Sequence, residues 1–140
     1  CEAATVIDQP EMVQMVSKRS LGLTEGALEG ANKTGGFIHE GDRNGLHQDL
    51  QYEWWTQAEA LVGLVNSYML TKEEKYLDAA LHTMEFISLH FSDSENGEWH
   101  FRVDHKLNPL KTLPKASLWK GPYHNGRACM ELIRRIEALL

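Results

Sequence analysis

The stretch Glu53-Trp54-Trp55-Thr56-Gln57-Ala58-Glu59-Ala60-Leu61-Val62-Gly63-Leu64-Val65-Asn66-Ser67-Tyr68-Met69-Leu70 decides the fold. Trp54, Ala58, Leu61, Val62, Val65 and Met69 recur at helical spacing. This predicts a helix from about Trp54 to Leu70 with that stripe against a core. Trp55, Glu59 and Asn66 fall on a neighbouring stripe, so one side of the helix is apolar and another mixed. Thr71-Lys72-Glu73-Glu74 then reads as a capping box that closes this helix and opens the next. That next helix is expected from about Lys72 to Phe91, with Leu77, Ala80, Leu81, Met84, Ile87 and Phe91 on one face.

Upstream, Pro10 suits a first helical position, with Asp8 and Gln9 in the cap region. A first helix is predicted from about Pro10 to Ser20, ended by Gly22. From Thr24 to Gln51 the glycines at 26, 30, 35, 36, 41 and 45 predict a long loop, in which Gly36-Phe37-Ile38-His39-Glu40 could form a short extended piece. Loops of that length inside a domain are uncommon and usually functional. Downstream, between Gly97 and Asn108, Trp99, Phe101 and Val103 alternate with His100, Arg102 and Asp104, and Asn108-Pro109 turns the chain. That period of two predicts a short β-hairpin arm. A last helix starts near Tyr123 or His124 and runs to the end, with Ala128, Cys129, Leu132, Ile133, Ile136, Leu139 and Leu140 on a wide apolar face. Helix pairs joined alternately by short turns and long loops fit an all-α solenoid or toroid better than a simple bundle.

A chain of 140 residues is one domain by length, and 42% hydrophobic with 24% charged residues is ordinary globular composition. A net charge of −6 argues against nucleic acid, and the pair Lys18-Arg19 is too short to neutralise phosphates. Cys1 and Cys129 make neither a disulfide framework nor a metal spacing, and Cys129 is expected as a small core residue. No apolar run reaches spanning length and no signal peptide is visible, so no membrane partner and a cytoplasmic setting are expected. The sequence begins at Cys1 and not at a methionine, as expected of a processed chain or of part of a longer protein.

His124 is the strongest candidate for chemistry. Pro122 fixes the backbone approach and sets the imidazole at or just inside a helix N-terminus, whose dipole disfavours the imidazolium. A neutral base near pH 7 suits general acid–base catalysis; the plain alternative is a helix cap. Trp119 and the pair Trp54-Trp55 offer indole faces of the kind that stack on sugar C–H faces, although core packing is favoured for Trp54 alone. Glu59, one turn after Trp55, could accept hydrogen bonds from substrate hydroxyls or orient a histidine. His82 and His90 are too far apart for a two-ligand metal site, His100 and His105 lie in the arm, and His39 and His47 lie in the glycine-rich loop where either could touch a ligand. With no phosphate loop, nucleophile elbow or dinucleotide fingerprint, chemistry without metal or cofactor is expected.

Three segments carry a resemblance: Glu53 to Gly63, the arm Gly97-Glu98-Trp99-His100-Phe101-Arg102-Val103-Asp104, and Trp119-Lys120-Gly121-Pro122-Tyr123-His124-Asn125-Gly126-Arg127. In this order they resemble the C-terminal part of the N-acylglucosamine 2-epimerase superfamily, and within it the cellobiose 2-epimerases. The resemblance runs from Pro10 onward and makes residues 1–140 a single partial domain. It implies the C-terminal portion of an (α/α)6 barrel, and C2 inversion of a reducing-end aldose, glucose to mannose, through an enediolate and a histidine pair. It makes His124 one of that pair, Trp119 and Trp55 stacking platforms, and Glu59 a polar lining group. The family's other histidine, in a His-x-x-Glu context, and its substrate-binding arginine are implied upstream of the matched portion. Aldose–ketose isomerisation, action on N-acylglucosamine, and a non-catalytic sugar-binding piece that self-associates are the rival expectations. A part of the barrel alone would expose apolar flanks, so either the N-terminal barrel helices or self-association is expected to cover them.

Overall fold

The computed structural model describes residues 2–42 and 44–140. Five α-helices are present among them: α1 (Glu2–Ile7), α2 (Pro10–Leu28), α3 (Trp54–Thr71), α4 (Glu74–Phe86) and α5 (Tyr123–Glu137). A π-helical turn over Ile87–Phe91 extends α4. Four two-residue strands accompany them: β1 (Glu40–Gly41), β2 (Gln48–Asp49), β3 (Tyr52–Glu53) and β4 (Arg102–Val103).

The central element is α3, packed against α4, α5 and, less extensively, α2. Its buried stripe comprises Trp54, Gln57, Ala58, Leu61, Val62, Leu64, Val65 and Ser67. Toward α4 this stripe joins Tyr76, Ala80, Phe86, Ile87 and Phe91 in the main core, with Phe37, Tyr52 and Val103. Toward α5 the contact is made by small residues, Ala58 and Val62 against Ala128. Small side chains let the two helices approach closely. The residues in register run in the same direction along both helices, so α3 and α5 are parallel and both start at the long-loop end.

The turn between α3 and α4 is built differently from the expected capping box. Lys72 takes the left-handed conformation at φ 61° and closes α3, and the N-cap Glu73 makes no side-chain cap. Thr71 is the last residue of α3, and its hydroxyl accepts the Glu73 N–H at 3.1 Å while donating to Ser67 O at 2.9 Å. The face of α4 is also rotated from the expected one: Tyr76 and Thr83 are buried, whereas Leu81 and Met84 are half exposed.

The first long helix does not stop at Gly22 but continues to Leu28. A glycine in a helix interior costs only about 1 kcal/mol. The turn beyond it is held by Leu21 and Leu28 against the core and by a Ser67 hydroxyl donating to Thr24 Oγ1 at 2.9 Å. The loop is therefore shorter than expected and ordered. The Asn32 side chain accepts the N–H groups of Thr34 and Gly36 and donates to Tyr52 Oη at 2.7 Å. Gly35, at φ +88°, and Gly36 lie directly on α4, where a Cβ would overlap the backbone of His82 and the ring of Phe86. β1 and β2 pair antiparallel, Glu40 facing Asp49 and Gly41 facing Gln48, which was not expected.

The arm is extended over residues 99–104, where its residues alternate, but turns at either end, and its ladder partner is distant. β4 pairs antiparallel with β3, Tyr52 facing Val103 and Glu53 facing Arg102. Tight returns close on either side of it, through the bridges Ser92–Trp99 and Val103–Pro109. The face of α5 is covered on one side only. Ala128 is buried and Leu132 partly so, but Cys129, expected in the core, is exposed. Ile133, Ile136, Leu139 and Leu140 are exposed too, because α3 spans only one edge of that wide stripe.

Candidate functional site

The start of α3 and the start of α5 meet at one place. Pro122 caps α5, so that His124 is its second residue, and Gly126 N–H donates to Pro122 O at 2.8 Å. Because the helices are parallel, His124 lies beside the first two turns of α3. Its Nδ1 is 2.8 Å from Glu59 Oε1. A carboxylate only accepts, so Nδ1 carries the hydrogen and the neutral ring keeps its lone pair on Nε2. Glu59 Oε2 accepts from Arg127 Nη2, one turn further along α5. The three groups are about two-thirds buried, with side-chain exposures of 32% for His124, 35% for Glu59 and 33% for Arg127.

Burial pushes the Glu59 carboxyl upward, but the hydrogen bonds from Arg127 and His124 outweigh it and hold the group below its ordinary range. Glu59 in turn raises the Arg127 guanidinium. The pair is thus charged across the physiological range and presents a fixed carboxylate to the imidazole.

Trp55 stands one turn before Glu59, its ring centroid 6.0 Å from that of His124 and tilted by 45°. Together with Glu59 and Ala60 it lines a cavity of about 330 Å³, closed on the other side by Leu23 and Ala27 of α2 and by Phe37. The cavity is walled mainly by apolar groups with one carboxylate at its edge, the composition of a small-molecule site. Phe37 is held there by Gln57, whose buried amide accepts the Phe37 N–H and donates to the Phe37 carbonyl, both at 2.8 Å.

Of the five expected site residues, Trp119 stands elsewhere, and Trp54 lies buried behind the cluster with its ring edge-on to His124 at 6.3 Å. Trp54 is only 4% exposed. Its ring packs against Phe101 at 4.5 Å, tilted by 55°, and has Lys120 Nζ at 5.7 Å, so it belongs to the core and forms the floor behind His124. Trp119 is outside the cluster with its side chain in solvent, 82% exposed. The segment that carries it is fastened by Lys120, 1% exposed, which donates to Glu98 Oε1 and Lys115 O, both at 2.8 Å. Asn125 Nδ2 also donates to Glu98 Oε1 at 2.8 Å, tying the same turn to the start of α5.

Sequence reasoning missed Arg127, although its i, i+3 spacing from His124 put it on the same face. His39 was named as a possible ligand contact, but its partners Asp49 and Glu53 were not foreseen. That imidazole lies edge-on to Trp55 at 6.3 Å, with Asp49 and Glu53 oxygens each 3.5 Å from its nitrogens. His47 is exposed and bound to Glu40. His82 and Glu85 carry a His-x-x-Glu spacing, but both are exposed on α4 and neither enters this cluster. Among the described residues no set of three or more His, Cys, Asp or Glu is placed to hold a metal ion, and no helix is long and apolar enough to cross a membrane.

The sequence profile of the N-acylglucosamine 2-epimerase (GlcNAc 2-epimerase) family matches residues 13–126. A cellobiose 2-epimerase of Dictyoglomus turgidum is 39% identical over 136 residues, which is 96% of this chain and 34% of that protein. A cellobiose 2-epimerase of Bacteroides fragilis is 36% identical over 134 residues, 94% of this chain and 34% of its own length. In structure, a sugar epimerase from a ruminal bacterium superposes with a TM-score of 0.86 at 32% identity, over 95% of this chain and 34% of the other. The chain therefore spans about a third of the length of these relatives, and its helices correspond to that share of a helical epimerase barrel. With the profile matched over most of its length, the chain belongs to the N-acylglucosamine 2-epimerase family.

Proposed function

We propose that the protein inverts C2 of a reducing-end aldose, in the manner named for its cellobiose 2-epimerase relatives, with His124 exchanging the C2 proton. The observation that carries this reading is the hydrogen bond from His124 Nδ1 to Glu59 Oε1, with Arg127 on the second carboxylate oxygen. Glu59 holds one tautomer and leaves Nε2 as the base. In the open-chain aldose the C2–H is acidified by the C1 carbonyl. Nε2 takes that proton, the C–H electron pair becomes the C1–C2 π bond, the C1=O π pair moves onto O1, and the enediolate forms. Return of a proton to the opposite face of C2 completes the inversion, and that second proton donor is the other histidine the family resemblance implies. Trp55 beside His124 offers the apolar face against which a sugar ring packs. Trp119, exposed five residues before His124, is proposed to close over the sugar from the solvent side.

The test is C2–H exchange in deuterated water with cellobiose, using the complete reading frame that encodes this chain. Deuterium at C2 with mannose-type product supports the reading, and His124→Ala should abolish both. Exchange that yields a ketose replaces epimerisation by isomerisation on the same enediolate. Sugar binding without exchange reduces the protein to a binding role.

A further inference from the structure

Glu53 stands at the N-cap of α3, where an acidic side chain ordinarily accepts the first free N–H groups of a helix. Here it makes no such bond. Other groups secure the helix start. Trp54 N–H donates to Phe101 O at 3.2 Å, and Thr56 Oγ1 and Gln57 Nε2 donate to the Glu53 carbonyl at 2.8 and 3.1 Å. The carboxylate is directed instead at the residue two places on, accepting Trp55 Nε1–H on Oε2 at 2.7 Å. Its other oxygen accepts from Arg102 Nη2. The residue is 7% exposed, and a carboxylate so buried is tolerable only when its oxygens are matched.

We infer that Glu53 is the positioning residue of Trp55, locking the angle of its indole against His124 and the adjoining cavity. An indole at the second position of a helix otherwise turns about two side-chain torsions. A hydrogen bond at Nε1 removes the second of these freedoms. The anchor is itself fixed by the fold, since Glu53 and Arg102 are directly opposed across the β3–β4 ladder. His39 Nε2 lies 3.5 Å from Glu53 Oε2, so Trp55, Arg102 and His39 all face the carboxylate, and Arg102 Nη1 in turn reaches Asp49 at 3.6 Å. The distant arm thus controls the platform: pairing of residues 102–103 with 52–53 sets the indole that faces the proton-exchanging histidine. The consequence for sugar binding rests on the epimerase reading; the orientation of the indole does not.

Two readouts on the complete protein whose reading frame encodes this chain test this. In 15N-indole NMR, with Trp55→Phe assigning the signal, the Trp55 Hε1 should exchange slowly with water in the native chain. Glu53→Ala should speed that exchange by about tenfold, the worth of one charge-assisted hydrogen bond. Glu53→Gln should restore most of the protection, because its amide oxygen still accepts. The Trp99 indole signal, from a ring packed against the core, reports that the fold is intact. Should Glu53→Ala unfold, Glu53→Gln and Arg102→Met decide, both shifting the Trp55 signal alone. An unchanged Trp55 Hε1 in these variants overturns the inference. In calorimetry, cellobiose affinity should fall about tenfold in Glu53→Ala and recover in Glu53→Gln, with no further loss when Glu53→Ala is added to Trp55→Phe. A further loss in that double variant overturns the link to sugar binding. A complete protein that holds Trp55 Hε1 through Glu53 but binds no sugar upholds the positioning role and counts against the epimerase reading.

Discussion

Glu59 and His124 are 65 positions apart in the chain and 2.8 Å apart in space, carboxylate oxygen to imidazole Nδ1. This contact exists because α3 and α5 run parallel and pack through small residues at Ala58, Val62 and Ala128. It turns a histidine at a helix start into an oriented base. Glu59→Gln keeps the shape of that partner and removes its charge. The C2–H exchange rate should fall about 10²-fold, within the range a positioned acid–base group supplies, with KM little changed. Exchange at the native rate in this variant would remove Glu59 from the chemistry.

Arg127→Met deletes the other partner of Glu59. The Glu59 carboxyl, now depressed chiefly by His124 alone, should rise toward the ordinary carboxylate range. Glu59 then takes up its proton at higher pH, so the acidic limb of the exchange–pH profile moves upward. At neutral pH the rate should drop about tenfold, matching one charge-assisted hydrogen bond. A profile measured from acid to neutral pH separates this from a simple loss of fold, which would lower the whole curve without moving the limb.

Thermal stability should fall in two stages on acidification. Burial, with Lys115 next, depresses His100 below its ordinary value of 6.5. The unfolded chain therefore takes up that proton first, and stability starts to fall as the pH drops below about 6.5. Glu59 and Glu98 are lowered from 4.5, burial opposing and hydrogen bonds from Arg127 and Lys120 prevailing. Their contribution is present above about 4.5 and is lost as the pH falls through the lower folded values. A Tm series against pH should show both stages, and His100→Gln should flatten only the first. A Tm independent of pH between 7 and about 5 would contradict the burial of a neutral His100.

Two glycine-to-alanine changes should act with opposite sign. At Gly36 a Cβ overlaps the Phe86 ring, so Gly36→Ala should destabilise by about 1–3 kcal/mol through overpacking. At Gly22 a Cβ meets nothing and the residue lies inside α2, so Gly22→Ala should stabilise by about 0.5–1 kcal/mol. Urea denaturation midpoints of the two variants check both signs in one experiment.

The helices were legible because their apolar spacing is local. Trp54 to Met69 and the run from Glu74 to Phe91 needed no knowledge of neighbours to be read as helices. Gly22 misled because its cost is small and the contacts that outweigh it, Leu28 in the core and Thr24 on Ser67, lie across the fold. The exposure of Cys129, Ile133 and Ile136 was equally hidden, since periodicity shows that a stripe is apolar but not how much of it a neighbour covers. His124, Glu59 and Trp55 could be chosen from residue type and spacing. Trp54 looked equivalent to Trp55 by type, and only its burial against Phe101 assigns it to the core.

The sequence by itself determined the helical class, the family and the histidine at the mouth of the last helix, because each is written in residues close together in the chain. Tertiary structure alone decided which groups meet: Glu59 and Arg127 on His124, Glu53 on Trp55, and Arg102 on Glu53. The contact from Glu53 to Arg102 needs β3 and β4 brought together across the whole of α3 and α4. Local spacing carries no information about such a pairing, since it depends on the direction and packing of entire helices.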